Sequence, residues 1–257
     1  MAERGTIIEL RAVEKQYRTL DKRMIVALSP TTMTIKDREF ISIVGPSGCG
    51  KTTLLNMVSG LIPPSGGEIL FRGSRQSGPS SELGLVFQRP VLLPWRRVID
   101  NVLLPVEVMG LQPRAKYLDR ARELLAMIGL GGFENAYPRE LSGGMQQRAA
   151  IARTLVYDTS VLLMDEPFAA LDAMTREDLN LELLRIWRES RKTILFVTHG
   201  IQEAVFLATR VVVLTAGPAR MADNFEVALP HPRTLEMKTH EAFGEYVRRL
   251  YRLLGME

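Results

Sequence analysis

The chain has 257 residues, enough for one large domain or a domain with a subdomain. It is 46% hydrophobic and 24% charged, the balance of a water-soluble globular chain; its net charge of +4, with no dense basic run interleaved with aromatics, argues against a nucleic-acid surface. A single cysteine, Cys49, excludes an internal disulfide and implies a reducing compartment; no signal peptide is expected, and no apolar run reaches the ~20 residues that span a bilayer.

In chain order, residues 6–10, 31–35 and 40–44 read as strands. The last is continuous and β-rich, as a buried parallel strand is. Residues 52–61 read as a helix, stopped by Pro63-Pro64 and Gly66-Gly67. Strands follow at 68–73 and 83–87. From 98 to 156 the pattern is helical, with an apolar stripe at Leu118, Ala121, Leu124, Leu125 and Ile128. Strands return at 161–164, 193–197 and 210–214, with helices at 173–190 and 201–208 between them. That alternation predicts an α/β fold with a parallel sheet, into which the helical block is inserted. Residues 240–254 carry apolar side chains at Phe243, Val247, Leu250 and Leu254, with Tyr251 beside them, and arginines elsewhere. This is an amphipathic helix, expected to pack on its own domain or on a twin subunit.

Gly45-Pro46-Ser47-Gly48-Cys49-Gly50-Lys51-Thr52 follows a predicted strand and opens a predicted helix, the setting a phosphate-binding loop requires. Its glycines let backbone N–H groups turn toward phosphate oxygens, and the helix N-terminus adds positive potential. Lys51 is placed to reach the β and γ phosphates, and the Thr52 hydroxyl, with Thr53 beside it, to meet Mg²⁺ and phosphate. Val161-Leu162-Leu163-Met164-Asp165-Glu166 is an apolar strand ending in two acids, where α/β sheets place ligands. Asp165 there suits Mg²⁺ through water, and Glu166 suits the general base for an attacking water. In Leu141-Ser142-Gly143-Gly144-Met145-Gln146-Gln147-Arg148, small residues precede a helix and make an anion site that needs no lysine.

These ordered motifs resemble those of ATP-binding cassette (ABC) ATPases over about residues 6–220. The resemblance implies a P-loop NTPase (RecA-like) core with a mixed or parallel sheet, a small antiparallel β subdomain and an inserted α-helical subdomain. Residues 1–222 would form the ATPase domain, with the helical subdomain at about 90–157, and 223–257 a C-terminal extension. It implies ATP and Mg²⁺, with Thr52, Gln88 and Asp165 as metal residues and Glu166, His199 and Gln88 as catalytic ones. Gln88 matches the Q-loop glutamine, His199 the switch histidine near the γ-phosphate, and Tyr17 the adenine-stacking aromatic. Asp172, in Ala170-Leu171-Asp172, matches the D-loop, which contacts the opposite subunit. The signature residues Ser142, Gly143, Gly144 and Gln146 would bind the ATP held by a second copy. Singly, Gln88 also reads as a loop residue, His199 as a strand-end histidine, Tyr17 as surface packing and Asp172 as a helix N-cap. Two positions depart from the family: Gly200 where many members have Asp, and Arg38 at a turn often held by glycine.

The stretches Val91-Leu92-Leu93-Pro94-Trp95-Arg96-Arg97-Val98 and Pro167-Phe168-Ala169-Ala170-Leu171-Asp172-Ala173-Met174-Thr175-Arg176 resemble the nitrate, sulfonate and taurine branch of bacterial importers. That resemblance implies the ATP-hydrolysing subunit of an importer, with a transmembrane permease partner, an extracytoplasmic solute-binding protein engaged indirectly, and a place on the cytoplasmic face of the cell membrane; the alternative is a soluble ABC ATPase acting in assembly or translation. Trp95 is read both as a permease anchor and as core packing; the two readings stay open here.

Overall fold

The computed structural model describes residues 5–19, 21–169 and 171–256. It divides into two compact units, Met1–Ser80 with Leu183–Glu257, and Ser81–Glu182.

The first unit holds two sets of strands. β1 (Thr6–Arg18) and β2 (Met24–Lys36) form a long antiparallel hairpin, extended through β4 (Gly66–Phe71) to β5 (Ser74–Arg75). β1 runs well past the expected residue 10. Irregularities between Leu10 and Val13 and again at Lys15, with Ala12 at φ 47, break the alternation that a sequence reading follows. In the other set, β3 (Phe40–Val44) pairs in parallel with β8 (Thr193–Thr198) on one side and β9 (Arg210–Leu214) on the other. β10 (Met221–Glu226) adds to β9 antiparallel. β3 and β8 are buried at every position, as parallel strands covered on both faces are. Phe40 anchors this core, edge-on to Trp187 at 5.8 Å and near Phe196 at 6.1 Å between ring centroids. Burying each such side chain contributes roughly 2–3 kcal/mol. Arg38 turns the chain into β3 at φ 60, a left-handed conformation that favours glycine.

Helix α1 (Lys51–Val58) leaves β3 through the glycine loop, α7 (Ile201–Leu207) leaves β8, and α8 (Glu241–Leu253) closes the chain. α8 buries Phe243 and Leu250 within this unit and packs against α7. The amphipathic stripe read from the sequence thus faces the chain's own core.

In the second unit, β6 (Leu83–Val86) pairs in parallel with β7 (Val161–Asp165). Around them lie α2 (Val98–Val102), α3 (Leu104–Val108), α4 (Arg114–Met127) and α5 (Gly143–Leu155). α5 buries Ala149, Ala150, Ile151, Ala152 and Leu155; α4 meets it with Ala121, Leu124 and Leu125. Helix α6 (Ala173–Ser190) runs on from this unit. No helix among the described residues is long and apolar enough to cross a membrane.

Candidate nucleotide site

In the first unit the phosphate loop occupies the connection between Val44, the last residue of β3, and Lys51, the first of α1. Gly48 and Gly50 take φ of 74° and 104°, a left-handed course that side-chain-bearing residues rarely follow. A Cβ at Gly50 would lie 2.7 Å from the Ala27 carbonyl oxygen, so the loop has no room for one there. At Gly48 the space is open, on the exposed side with Ser47. Gly45, Pro46 and Cys49 form the inner part of the turn, closed by the Cys49 N–H on the Pro46 carbonyl at 3.3 Å. The Lys51 side chain is buried and donates from Nζ to the carbonyls of Gly45 (2.8 Å) and Pro46 (3.0 Å). It therefore lies across the loop's mouth, where a phosphate would compete for the same ammonium. The Thr52 side is exposed, Thr53 is half-buried, and no acid stands in the first turn of α1 to cancel its positive end.

His199 follows the last residue of β8 and is exposed. β3 and β8 are adjacent and parallel, with Val44 paired to Thr198, so the phosphate loop and His199 leave the same edge. The Thr198 hydroxyl accepts from the Gly200 N–H at 2.9 Å and donates to the Glu203 carboxylate. That pair of bonds ties down the turn around His199 with glycine at position 200. Tyr17 stands on β1 opposite Ile25, 43% exposed, with the Lys15 ammonium 5.3 Å from its ring centre. An open aromatic face of this kind can take a flat ring.

In the second unit, Gln88 comes just after β6 and Asp165 closes β7; Val86 pairs with Met164, so both lie at one edge of that strand pair. Glu166 follows with φ 44, a strained conformation for a residue with a side chain, of the kind that concentrates at functional sites. Ser142 caps α5, its hydroxyl accepting from the Met145 N–H at 3.3 Å. Ser142 and Gly143 are exposed, Gly144 is partly so, and no acid sits in the helix's first turn. Gln146 turns the other way, donating to the carbonyls of Pro138 (3.0 Å) and Leu141 (3.3 Å). It builds the turn that presents the serine and glycines. Asp172 is the N-cap of α6, accepting from the Thr175 N–H at 3.0 Å, and that bond holds its carboxyl below the usual range. Ala170 lies outside the described residues.

The family profile described as ABC transporter matches residues 28–169. An uncharacterized ABC transporter ATP-binding protein of Methanocaldococcus jannaschii is 47% identical, the match covering 91% of this chain and 86% of that one. The chain belongs to the ABC transporter family. Among importers, the ABC cassette is 41% identical to the aliphatic sulfonates import ATP-binding protein SsuB of Bacillus cereus, over 90% of this chain and 89% of that one. It is 45% identical to the taurine import ATP-binding protein TauB of Escherichia coli, over 77% of each. Its fold matches a dimeric ATP-binding cassette, MJ0796, in a post-hydrolysis state bound to ADP and Pi: TM-score 0.76, 32% identity, covering 87% of this chain and 100% of that one. The cassette is an ATP-binding ATPase.

The sequence did not single out the residues that hold the cassette's loops. Asn101, fully buried, accepts from the Leu93 N–H at 2.7 Å and donates to the carbonyls of Leu93, Arg96 and Arg97, each at 3.1 Å. Arg153 on α5 donates to the carbonyls of Pro90 (2.9 Å) and Val91 (2.7 Å), and Gln147 to that of Phe87 (3.2 Å). The signature helix thereby grips the segment after β6. Trp95, at the tip of this braced loop, is 71% exposed, which decides against core packing.

Proposed function

We propose that this chain is the ATP-hydrolysing subunit of a bacterial importer for a small anion or organic solute of the nitrate, sulfonate or taurine kind. One observation carries the reading. The chain has two helix starts suited to anions, α1 with a lysine-bearing loop and α5 with only Ser142, Gly143 and Gly144 at its start, where no lysine or arginine stands; Arg148, further along, donates to the Ile128 carbonyl. Two copies arranged so that each completes the other's nucleotide site make use of both. ATP that touches both copies only in the closed dimer stabilises that state, since a ligand shifts an equilibrium by its differential affinity.

In this reading residues 1–222 form the ATPase domain, about 90–157 its signature-bearing part, and 223–257 the C-terminal extension. Lys51 and the backbone N–H groups of the loop over residues 45–53, other than Pro46, which has none, hold the phosphates, Tyr17 the adenine, and Ser142, Gly143, Gly144 and Gln146 belong to the site across the dimer. Asp172 contacts the opposite copy. Thr52, Gln88 and Asp165 offer hydroxyl, carboxamide and carboxylate oxygens, the hard donors that suit Mg²⁺. That ion, when bound, neutralises phosphate charge. Glu166 takes the proton of the attacking water, and His199 stands at the γ-phosphate. Trp95 and its apolar neighbours dock a permease on the cytoplasmic face of the membrane, and an extracytoplasmic binding protein delivers solute to that permease.

The test is purification of the tagged chain from its native membranes. Recovery with an integral membrane permease, and ATPase activity raised by a sulfonate- or taurine-loaded binding protein, is the expected result. Recovery with ribosomes or a soluble assembly complex and no membrane protein would overturn it.

A further inference from the structure

We propose that Arg233 is a positioning residue for His199: from the C-terminal extension it clamps the far end of α7, the helix that begins directly after the histidine's turn. The proposal rests on the reading of His199 as the γ-phosphate residue.

Arg233 is buried, 5% exposed. Its Nη1 donates to the carbonyls of Val205 (2.6 Å) and Phe206 (3.1 Å), and its Nη2 to that of Ala208 (2.9 Å). These are carbonyls at the C-terminal end of α7, groups that a helix cannot satisfy internally. A guanidinium there also complements the negative end of the helix. Burial pushes the Arg233 pKa down to about 10, so the chain keeps a cation out of water for the sake of this contact. A lysine, with one nitrogen on a flexible stem, does not match a fork that spans three carbonyls.

α7 has 7 residues and is about 10 Å long. Ile201, Ala204, Val205, Phe206 and Leu207 are buried, so the helix is bedded along most of its length. At its near end, Thr198 bonds both Gly200 and Glu203, bracketing His199 between the strand and the first helical turn. A tilt of α7 set at the Arg233 end is therefore felt at His199. The chain leading to Arg233 is tied to α8 a few residues earlier. The Ala228 N–H donates to the Tyr246 hydroxyl at 3.0 Å, Arg249 on α8 pairs with Asp223 at 2.7 Å, and Tyr246 stacks on Phe225.

The chain has 3 histidines, His199, His231 and His240, so imidazole NMR of the full-length ¹⁵N-histidine-labelled protein can follow each of them. In Arg233→Met, the His199 and His231 signals should move or broaden while His240 stays in place. The kcat for ATP should fall by about 10-fold with KM within about 2-fold, the pattern of a misplaced group rather than lost binding. Arg233→Lys should show the same changes, smaller. A folded Arg233→Met with an unmoved His199 signal and normal kcat overturns the proposal, as does movement of all three signals together, which marks a general loosening. If Arg233→Met does not fold, Arg233→Lys carries the same comparison. Wild-type hydrolysis by His199→Gln would instead overturn the reading of His199 itself; an inactive His199→Gln with unperturbed Arg233 variants overturns only the clamp.

Discussion

Val44 and Thr198 lie side by side on the parallel strands β3 and β8. The phosphate loop therefore starts one residue beyond Val44, and His199 one residue beyond Thr198, at the same carboxyl edge. Ligands of open α/β sheets bind at such edges because loops and helix N-termini converge there.

Lys51→Ala removes the ammonium that bridges the loop's mouth and would meet the β and γ phosphates. Hydrogen bonds to charged groups contribute about 1.5–3 kcal/mol, so affinity for ATP should fall roughly 10- to 100-fold. Titration with a fluorescent ATP analogue measures it. Affinity within 2-fold of the wild type would show that the lysine serves only the loop.

Glu166→Gln keeps the size of the side chain and one acceptor oxygen, but its other end donates and it cannot take a proton. ATP binding should persist while turnover falls by about 10²–10⁴. Size-exclusion chromatography with light scattering should show this variant shifting from monomer to dimer when Mg-ATP is added. Normal hydrolysis would sink the assignment of Glu166 as base.

Asn101 and Trp95 serve one loop in opposite ways. Asn101→Leu leaves the Leu93 amide and several carbonyls without their partner, a loss of about 2–4 kcal/mol in stability seen in denaturant melts. Trp95→Ala removes an exposed side chain and should leave both the melt and the basal ATPase rate unchanged. Its effect should appear only with the permease, as lost transport. A Trp95→Ala protein that transports normally removes this side chain from the docking surface.

His231 makes stability depend on pH. Its ring rests on the Trp187 indole at 5.2 Å, and burial of that ring, then the charges of Arg233 and Arg188, lowers its pKa from 6.5 to about 4. The folded chain thus holds the neutral imidazole where the unfolded chain binds a proton. Stability is full above pH 6.5 and is lost as pH falls from there toward about 4. The residue's outer side is exposed, so the loss is about 1 kcal/mol. Melts at about pH 7.5 and pH 5 should differ less in His231→Gln than in the wild type. An equal difference in both proteins would place the pH dependence elsewhere.

The nucleotide motifs were legible because each is a short contiguous run whose chemistry lies in residue type: glycines before Lys51, two acids after Met164, a serine and two glycines before a helix. The continuous apolar strands β3, β7 and β8 were legible for the same reason. What escaped depends on pairs far apart in the chain. Arg233 meets Val205 28 residues away, and Arg153 meets Val91 62 away; neither arginine differs in sequence from those on the surface. The outer half of β1 was hidden by its irregularities, and Asn101 by the fact that a buried carboxamide and a solvated one have the same letter.

β2 lies at the outer edge of its sheet. Its middle is covered, since Ser29 and Ala27 bond the backbone of Ala219. Met24, Ile25 and Val26 are exposed, and among the described residues they pair on one side only, with β1. Unpaired amides beside three greasy side chains are a template on which another chain can add. Ile25→Lys should therefore delay clouding of the concentrated subunit in storage without touching the fold's interior.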